Sequence, residues 1–295
     1  MPRPTLPVSL LLLMIAPACA DQPFGAGSDS ADSGTLDLDN CETSFDADTP
    51  AFFSTFFRCV TVTTSGDTVT LRSDGRPPHP SPYYDADDPN HEDFDDRGGQ
   101  WRQNPNTISA QDNEISFSSS PVSRGLSIGA DLVDHMAGTS RKEYGDRGAL
   151  PGLALDGVAL YHGVAAPGDD IQDEQYTFDL WEGHPQDAGQ YHHHSPTPAS
   201  LAVLEHLGLI STHTVGEGEI ELYGVMCDGV PVLGCTELDG SRPDDADFDA
   251  QNGHVHDLIG ADGTVYFTGR YHTHLCSGVY DDEFTPEIQY YDGCN

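Results

Sequence analysis

Apolar and polar residues alternate along much of this chain, mostly with a period of two. Cys59-Val60-Thr61-Val62-Thr63-Thr64 alternates, Ser65-Gly66-Asp67 interrupts it, and Thr68-Val69-Thr70-Leu71 resumes it, which predicts a β-hairpin. Further short strands are predicted at 114–117, 153–160, 175–180, 220–226, 230–233 and 264–268. A helical period stands out at 198–209, where Leu201, Leu204 and Leu207 or Leu209 share one side; a second helix is predicted within 127–136. Residues 73–113, rich in Pro, Asp and Asn, predict a long ordered loop. The fold class expected is α+β, mainly β.

The first residues follow another rule. Arg3 precedes an apolar run from Leu6 to Ala16, shorter than the ~20 residues that span a bilayer, so 1–18 is expected to be an export signal. Ala16-Pro17-Ala18-Cys19 is similar to a bacterial lipoprotein box, with Ala16 where Leu is usual, so Cys19 is expected to be lipidated. Cleavage at Ala18-Cys19-Ala20 and ordinary secretion is the alternative. Residues 19–40 have few large apolar groups and read as a disordered acidic tether, leaving 41–295 as one domain. The expected location is the cell envelope outside the cytoplasm, in the periplasm or on the outer surface.

Charge narrows the partners. The 295 residues include 12 Lys+Arg against 49 Asp+Glu, a net charge of −37. So negative a surface repels phosphate backbones and anionic headgroups, which excludes nucleic acid and limits membrane contact to a lipid anchor. Metal ions fit that field. The 31 Gly and 21 Pro argue against a bundle of long helices. With Cys19 set aside, Cys41, Cys59, Cys227, Cys235, Cys276 and Cys294 remain, an even number suited to disulfides in an oxidising compartment. None lies in a C-x-x-C, which disfavours thiolate zinc sites.

The chain also repeats itself. Asp156-Gly157-Val158 and Asp228-Gly229-Val230 each sit between apolar runs, 72 residues apart. Gly183-His184 recurs 70 residues on as Gly253-His254, and Tyr191-His192-His193-His194 recurs 80 residues on as Tyr271-His272-Thr273-His274. Because the order of the three motifs is kept, two pseudo-repeated halves are expected.

The repeats carry most of the candidate chemistry. Three H-x-H pairs occur: His192/His194, His254/His256 and His272/His274. On a strand, residues i and i+2 project the same way, about 6.6 Å apart, so two imidazoles can reach one ion at nitrogen distances of ~2.0–2.1 Å. We expect His192, His194, His272 and His274 to converge, with His184 as an extra ligand. Tyr191, Tyr271 and His193 should face the other way. His79, Asp257 and the two tyrosines are candidates for supporting the ligands, and Asp257 for a base. Neutral nitrogen ligands without thiolates suit copper(II) or zinc, with copper the stronger binder.

These residues resemble the YHYH-domain family of exported bacterial proteins. Tyr191 to His194 and Tyr271 to His274 are similar to its paired signatures, although His193 and Thr273 stand where Tyr is typical. Ser73-Asp74-Gly75-Arg76-Pro77-Pro78-His79, Asn106 to Phe117, Asp156-Gly157-Val158, Gly183-His184-Pro185 and Asn252-Gly253-His254-Val255-His256-Asp257 resemble further segments of that family, over roughly 57–294. The resemblance supports the domain and the histidines and implies no reaction.

Two other motifs are weaker. Gly125-Leu126-Ser127-Ile128-Gly129 matches G-x-S-x-G but lacks the strand that must precede a nucleophile elbow. Asp245-Ala246-Asp247-Phe248-Asp249 has calcium-loop spacing without the Gly and Glu that complete an EF-hand; a looser calcium site there, or at Asp85 to Asp96, is a further candidate. The expected function is metal binding through paired H-x-H strands. Its rivals are a metal-dependent hydrolytic or oxidative enzyme with an open three-histidine site, and a structural or adhesive surface module without metal.

Overall fold

The computed structural model describes residues 35–130, 142–145, 148–163, 171–276 and 283–294. The export signal, Cys19, most of the tether and the greater part of the helix expected at 127–136 lie outside the described residues. Among these residues no helix is long and apolar enough to cross a membrane.

Two sheets carry the domain. The smaller has the order β1 (Ser44–Phe45), β2 (Thr61–Ser65), β3 (Thr68–Ser73) and β4 (Asn113–Ser118). Its expected hairpin forms in register, Thr64 opposite Val69. Alternation turns Val62, Val69, Leu71, Ile115 and Phe117 to one face, where Phe52, Phe53 and Phe56 of helix α1 (Ala51–Phe56) join the core. The packing reaches back to Leu36 and Leu38. Between β3 and β4 the expected long loop is ordered, with Tyr83 and Tyr84 buried in it.

The larger sheet holds the two halves. Residues 153–160 form two strands, β5 (Gly152–Ala154) and β6 (Ala159–Leu160), not one. The chain turns between them because Asp156 Oδ1 accepts from Val158 N–H at 3.2 Å while Gly157 takes φ +80°. In the second half β9 (Leu222–Met226) and β10 (Pro231–Leu233) turn the same way: Asp228 Oδ1 accepts from Val230 N–H at 3.2 Å and Gly229 has φ +87°. Each hairpin is followed by an antiparallel pair, β7 (Gly183–Pro185) with β8 (Tyr191–His193), and β11 (Gly253–Ile259) with β12 (Val265–His274). In each half the last strand runs parallel to the second strand of the hairpin, Leu160 opposite His193 and Val232 opposite Thr273. The halves join through antiparallel β5 and β9, giving the order β11-β12-β10-β9-β5-β6-β8-β7. The expected pseudo-repeat is therefore a local two-fold about the centre of this sheet.

The expected strand at 175–180 does not form. Gln175–Thr177 is a turn of 3-10 helix following α2 (Ile171–Glu174), and the chain bends again at Asp179. That carboxylate is drawn into the core, accepting from Ser81 Oγ at 2.6 Å, Trp181 N–H at 2.9 Å and Tyr191 Oη at 2.8 Å. A strand would have kept its side chain from all three. The helix at 198–209 forms as α3 (Pro198–His206). Thr197 Oγ1 caps it at Ala199 N–H, Pro198 opens it, and Gly208 at φ +71° ends it.

Disulfides join Cys41 to Cys59 and Cys227 to Cys294. The third pair expected from the even count is absent. Cys235 and Cys276 are buried thiols, and Cys235 Sγ donates toward the Cys276 carbonyl, 3.3 Å away.

Candidate metal centres

The expected meeting of His192, His194, His272 and His274 does not occur. Four strands separate β8 from β12 in the sheet, and five interstrand steps of ~4.8 Å make roughly 24 Å. The two-fold carries equivalent strands to opposite ends of the sheet instead of laying them side by side. Each half gathers its own histidines.

In the first half, His184 on β7 stands opposite His192 on β8, and His194 follows on the same face. Their Nε2 atoms converge: 3.1 Å from His184 to His192 and 3.0 Å from His192 to His194. In the second half His254 pairs with His272, and the Nε2 distances are 2.8 Å from His254 to His272 and 3.2 Å from His254 to His274. All six rings are buried. Nitrogens held ~2.0–2.1 Å from one ion, at angles between square and tetrahedral, lie about 2.9–3.3 Å apart. The four close distances, 2.8 to 3.2 Å, lie at or near that spacing.

The outer nitrogens fix the tautomers. His192 Nδ1 lies 3.0 Å from the Gln190 carbonyl and His194 Nδ1 2.7 Å from the His162 carbonyl. A carbonyl only accepts, so each Nδ1 carries the proton and each Nε2 presents a lone pair. His184 Nδ1 lies 2.6 Å from Thr177 Oγ1, whose hydroxyl proton is already donated to the Glu174 carbonyl, so His184 is the donor as well. His272 and His274 are held likewise by the Arg270 and Gly234 carbonyls at 2.9 and 2.8 Å. His254 Nδ1 has no hydrogen-bond partner among the described residues. Lone pairs facing lone pairs cannot hydrogen-bond to one another; they can share a cation.

Burial keeps the first triad neutral. It pushes His184 and His194 well below the ordinary imidazole range, with the neighbouring imidazoles adding to the effect, and His192 down to about 4. Near the second triad, Glu237 has oxygens 3.1 Å from His254 Nε2, 3.3 Å from His272 Nε2 and 3.5 Å from His274 Nε2. Burial would raise this carboxyl, but hydrogen bonds from the three imidazoles, made when their Nε2 atoms carry a proton in place of a cation, outweigh it and hold it far below the usual carboxylate range.

Sequence reasoning missed the supports that build these centres. Phe178 and Phe248 flank the rings from equivalent places, Phe178 stacked at 6.0 Å from His194 and Phe248 at 5.2 Å from His274. Asp249 does in the second half what Asp179 does in the first: it accepts from Tyr271 Oη at 2.7 Å and from Gly253 N–H at 3.0 Å. Glu182 and Asn252, each just before the Gly-His step, share φ values of 56° and 57°. The signal was present as F-D-x-x-x-G-H, at Phe178 to His184 and Phe248 to His254. Glu237 had no such signal, because it comes from a loop and has no acidic counterpart in the other half.

The other candidates lie apart. His256 is 47% exposed at its side chain, stacked on His254 but pointing past the triad toward Asp247, because β11 runs on into solvent. His79 lies among the residues behind β8, stacked on Trp181 at 4.4 Å. Asp257 is exposed and accepts from Gly269 N–H at 2.7 Å, holding the β11–β12 hairpin, so it neither orients a ligand nor faces the triad as a base. Tyr191, Tyr271 and His193 do face away from the ligand side, the tyrosines bonded to their aspartates and His193 Nδ1 to the Glu182 carbonyl at 2.9 Å. Asp249 spends both oxygens inside the domain. The strand that most nearly precedes the G-x-S-x-G segment is β4, and it ends at Ser118, short of Gly125.

Residues 140–247 match the family model described as YHYH protein. The match takes in the first triad and Glu237 and ends before His254. Comparisons with curated proteins and with solved structures give no match.

Proposed function

We propose that this chain, a YHYH protein by its match over 140–247, binds divalent transition-metal ions at two centres. Each ion would sit on three imidazole Nε2 atoms: His184, His192 and His194 in one half, His254, His272 and His274 in the other. One observation carries the reading. Three buried lone pairs converge in the first half, the His192 nitrogen 3.1 Å from that of His184 and 3.0 Å from that of His194, with every Nδ1 proton committed elsewhere. Neutral imidazoles so arranged repel, and a cation between them turns that repulsion into coordination. The ligand set is nitrogen with at most a carboxylate, which suits copper(II) or zinc.

The test is elemental analysis of protein purified without a histidine tag and loaded with zinc or copper. The expected content is two ions per chain, falling to one in His192→Ala/His194→Ala and to one in His272→Ala/His274→Ala. Stoichiometry unchanged in both variants would end the reading and direct attention to the acidic loops.

A further inference from the structure

The two centres match in their three histidines but differ in the fourth direction. Glu237 reaches the second triad from the loop after β10 and lies within 3.5 Å of all three Nε2 atoms. Seventy-two residues earlier, the separation of the two Asp-Gly-Val turns, the sequence has Ala165, which has no ligating atom. Among the described residues, the carboxylate closest to the first triad comes from another element, α2. Glu174 Oε2 is 3.8 Å from His184 Nε2 and 3.7 Å from His194 Nε2, so it stands beside the triad and does not cap it.

The surroundings differ in the same sense. Tyr161 stacks on His192 at 4.2 Å, and its hydroxyl accepts from Gln186 Nε2 at 3.2 Å. The equivalent of Tyr161 is Leu233, and that of Gln186 is the outward-pointing His256. Polar hydrogen-bonding groups therefore border the first triad where the second half has an apolar residue and a ring directed to solvent.

Resting on the two-metal reading above, we propose that the second centre is closed by the chain's own carboxylate while the first keeps a coordination position for an external ligand. Three protein ligands with a fourth position left to water or substrate is how catalytic zinc sites are built; four protein ligands make a structural one. The ligand class for the first centre is a small protic donor, such as water, an alcohol or an amine. It binds through oxygen or nitrogen and donates its hydrogen to Glu174. An anion would meet the Glu174 charge and bind more weakly than at a bare three-histidine site.

Cobalt(II) in place of the native ion makes this visible, with azide as the probe and absorption between 500 and 700 nm as the readout, roughly the range in which tetrahedral and five-coordinate cobalt differ. Azide is expected to change the spectrum of the wild type and of His254→Ala/His272→Ala, and to leave His184→Ala/His192→Ala unchanged. Glu174→Gln should bind azide about fivefold tighter, as removal of one charge at ~4 Å in a wet site implies. Glu237→Gln should make the second centre respond as well, and these single variants decide the matter if a double variant fails to fold. An azide response that survives loss of the first triad, or none while two cobalt ions are bound, overturns the division of roles. Failure to bind cobalt at all overturns the metal reading itself.

Discussion

Leu153 and Val225 face each other across antiparallel β5 and β9, and they hold equivalent places in the two halves. The local two-fold axis therefore passes between them. The glycines beside them obey the same symmetry: a Cβ on Gly152 would meet the Val225 carbonyl oxygen at 2.7 Å, and one on Gly224 would collide with the Leu153 carbonyl oxygen. Close approach of two backbones is what lets both hairpins share one continuous sheet.

Gly152→Ala and Gly224→Ala should each destabilise the domain by about 1–3 kcal/mol, the usual cost of overpacking, with Gly224→Ala the worse because its neighbours are nearer. Urea denaturation followed by tryptophan fluorescence measures this. A wild-type midpoint for Gly224→Ala would show that the halves do not pack as closely as described.

The Tyr–Asp pairs behind the ligand strands should behave alike. Tyr191→Phe leaves Asp179 without the hydroxyl that reaches both of its oxygens at 2.8 and 2.9 Å, and Tyr271→Phe removes the donor to Asp249 Oδ2 at 2.7 Å. A hydrogen bond to a charged group contributes about 1.5–3 kcal/mol, so a loss of that order is expected in each variant at pH 7.5. Metal stoichiometry should stay unchanged, since neither hydroxyl faces the triads. A variant that loses its ion but not its stability would reverse that assignment.

Acid should weaken the metal-free protein through its buried histidines. Burial pushes His193 down to about 4, against about 6.5 in the unfolded chain. The unfolded chain then binds a proton that the folded chain refuses, so this contribution is whole above about pH 6.5 and is lost as pH falls toward 4. Asp156, Asp179 and Asp228, raised by burial to about 6, act with the opposite sign: what they contribute is whole below about pH 4 and is lost as pH rises through 6. His193→Thr, which installs the residue found at Thr273, isolates the histidine. With a chelator present, the stability lost between pH 7 and 4.5 should shrink by about 2 kcal/mol in this variant. An unchanged pH profile would mean that His193 does not stay neutral in the folded state.

Cysteine chemistry is directly countable. Non-reducing digestion and mass spectrometry should recover Cys41 linked to Cys59 and Cys227 linked to Cys294. Cys235 and Cys276 are buried and should take up an alkylating reagent only after denaturation. Recovery of a peptide linking Cys235 to Cys276 would contradict the thiol assignment.

The amino-acid sequence by itself determined the β-rich class, the hairpin of β2 and β3, the helix at Pro198, the pseudo-repeat and the facing of the His192/His194 and His272/His274 pairs. All of these are local: alternation of period two sends His192 and His194 one way and Tyr191 the other whatever the strand pairs with. Family resemblance was legible for the same reason, because its motifs are short and keep their spacing. What only the tertiary structure decided is how the repeats are related. Two copies can lie side by side or about an axis, and the choice rests on β5 pairing with β9 through Gly152 and Gly224, a contact no spacing within either copy encodes. That choice sends His192 and His272 to opposite ends of the sheet, makes two histidine triads of the one cluster expected, and leaves the carboxylates beside them, Glu174 and Glu237, to come from elements unrelated by the repeat.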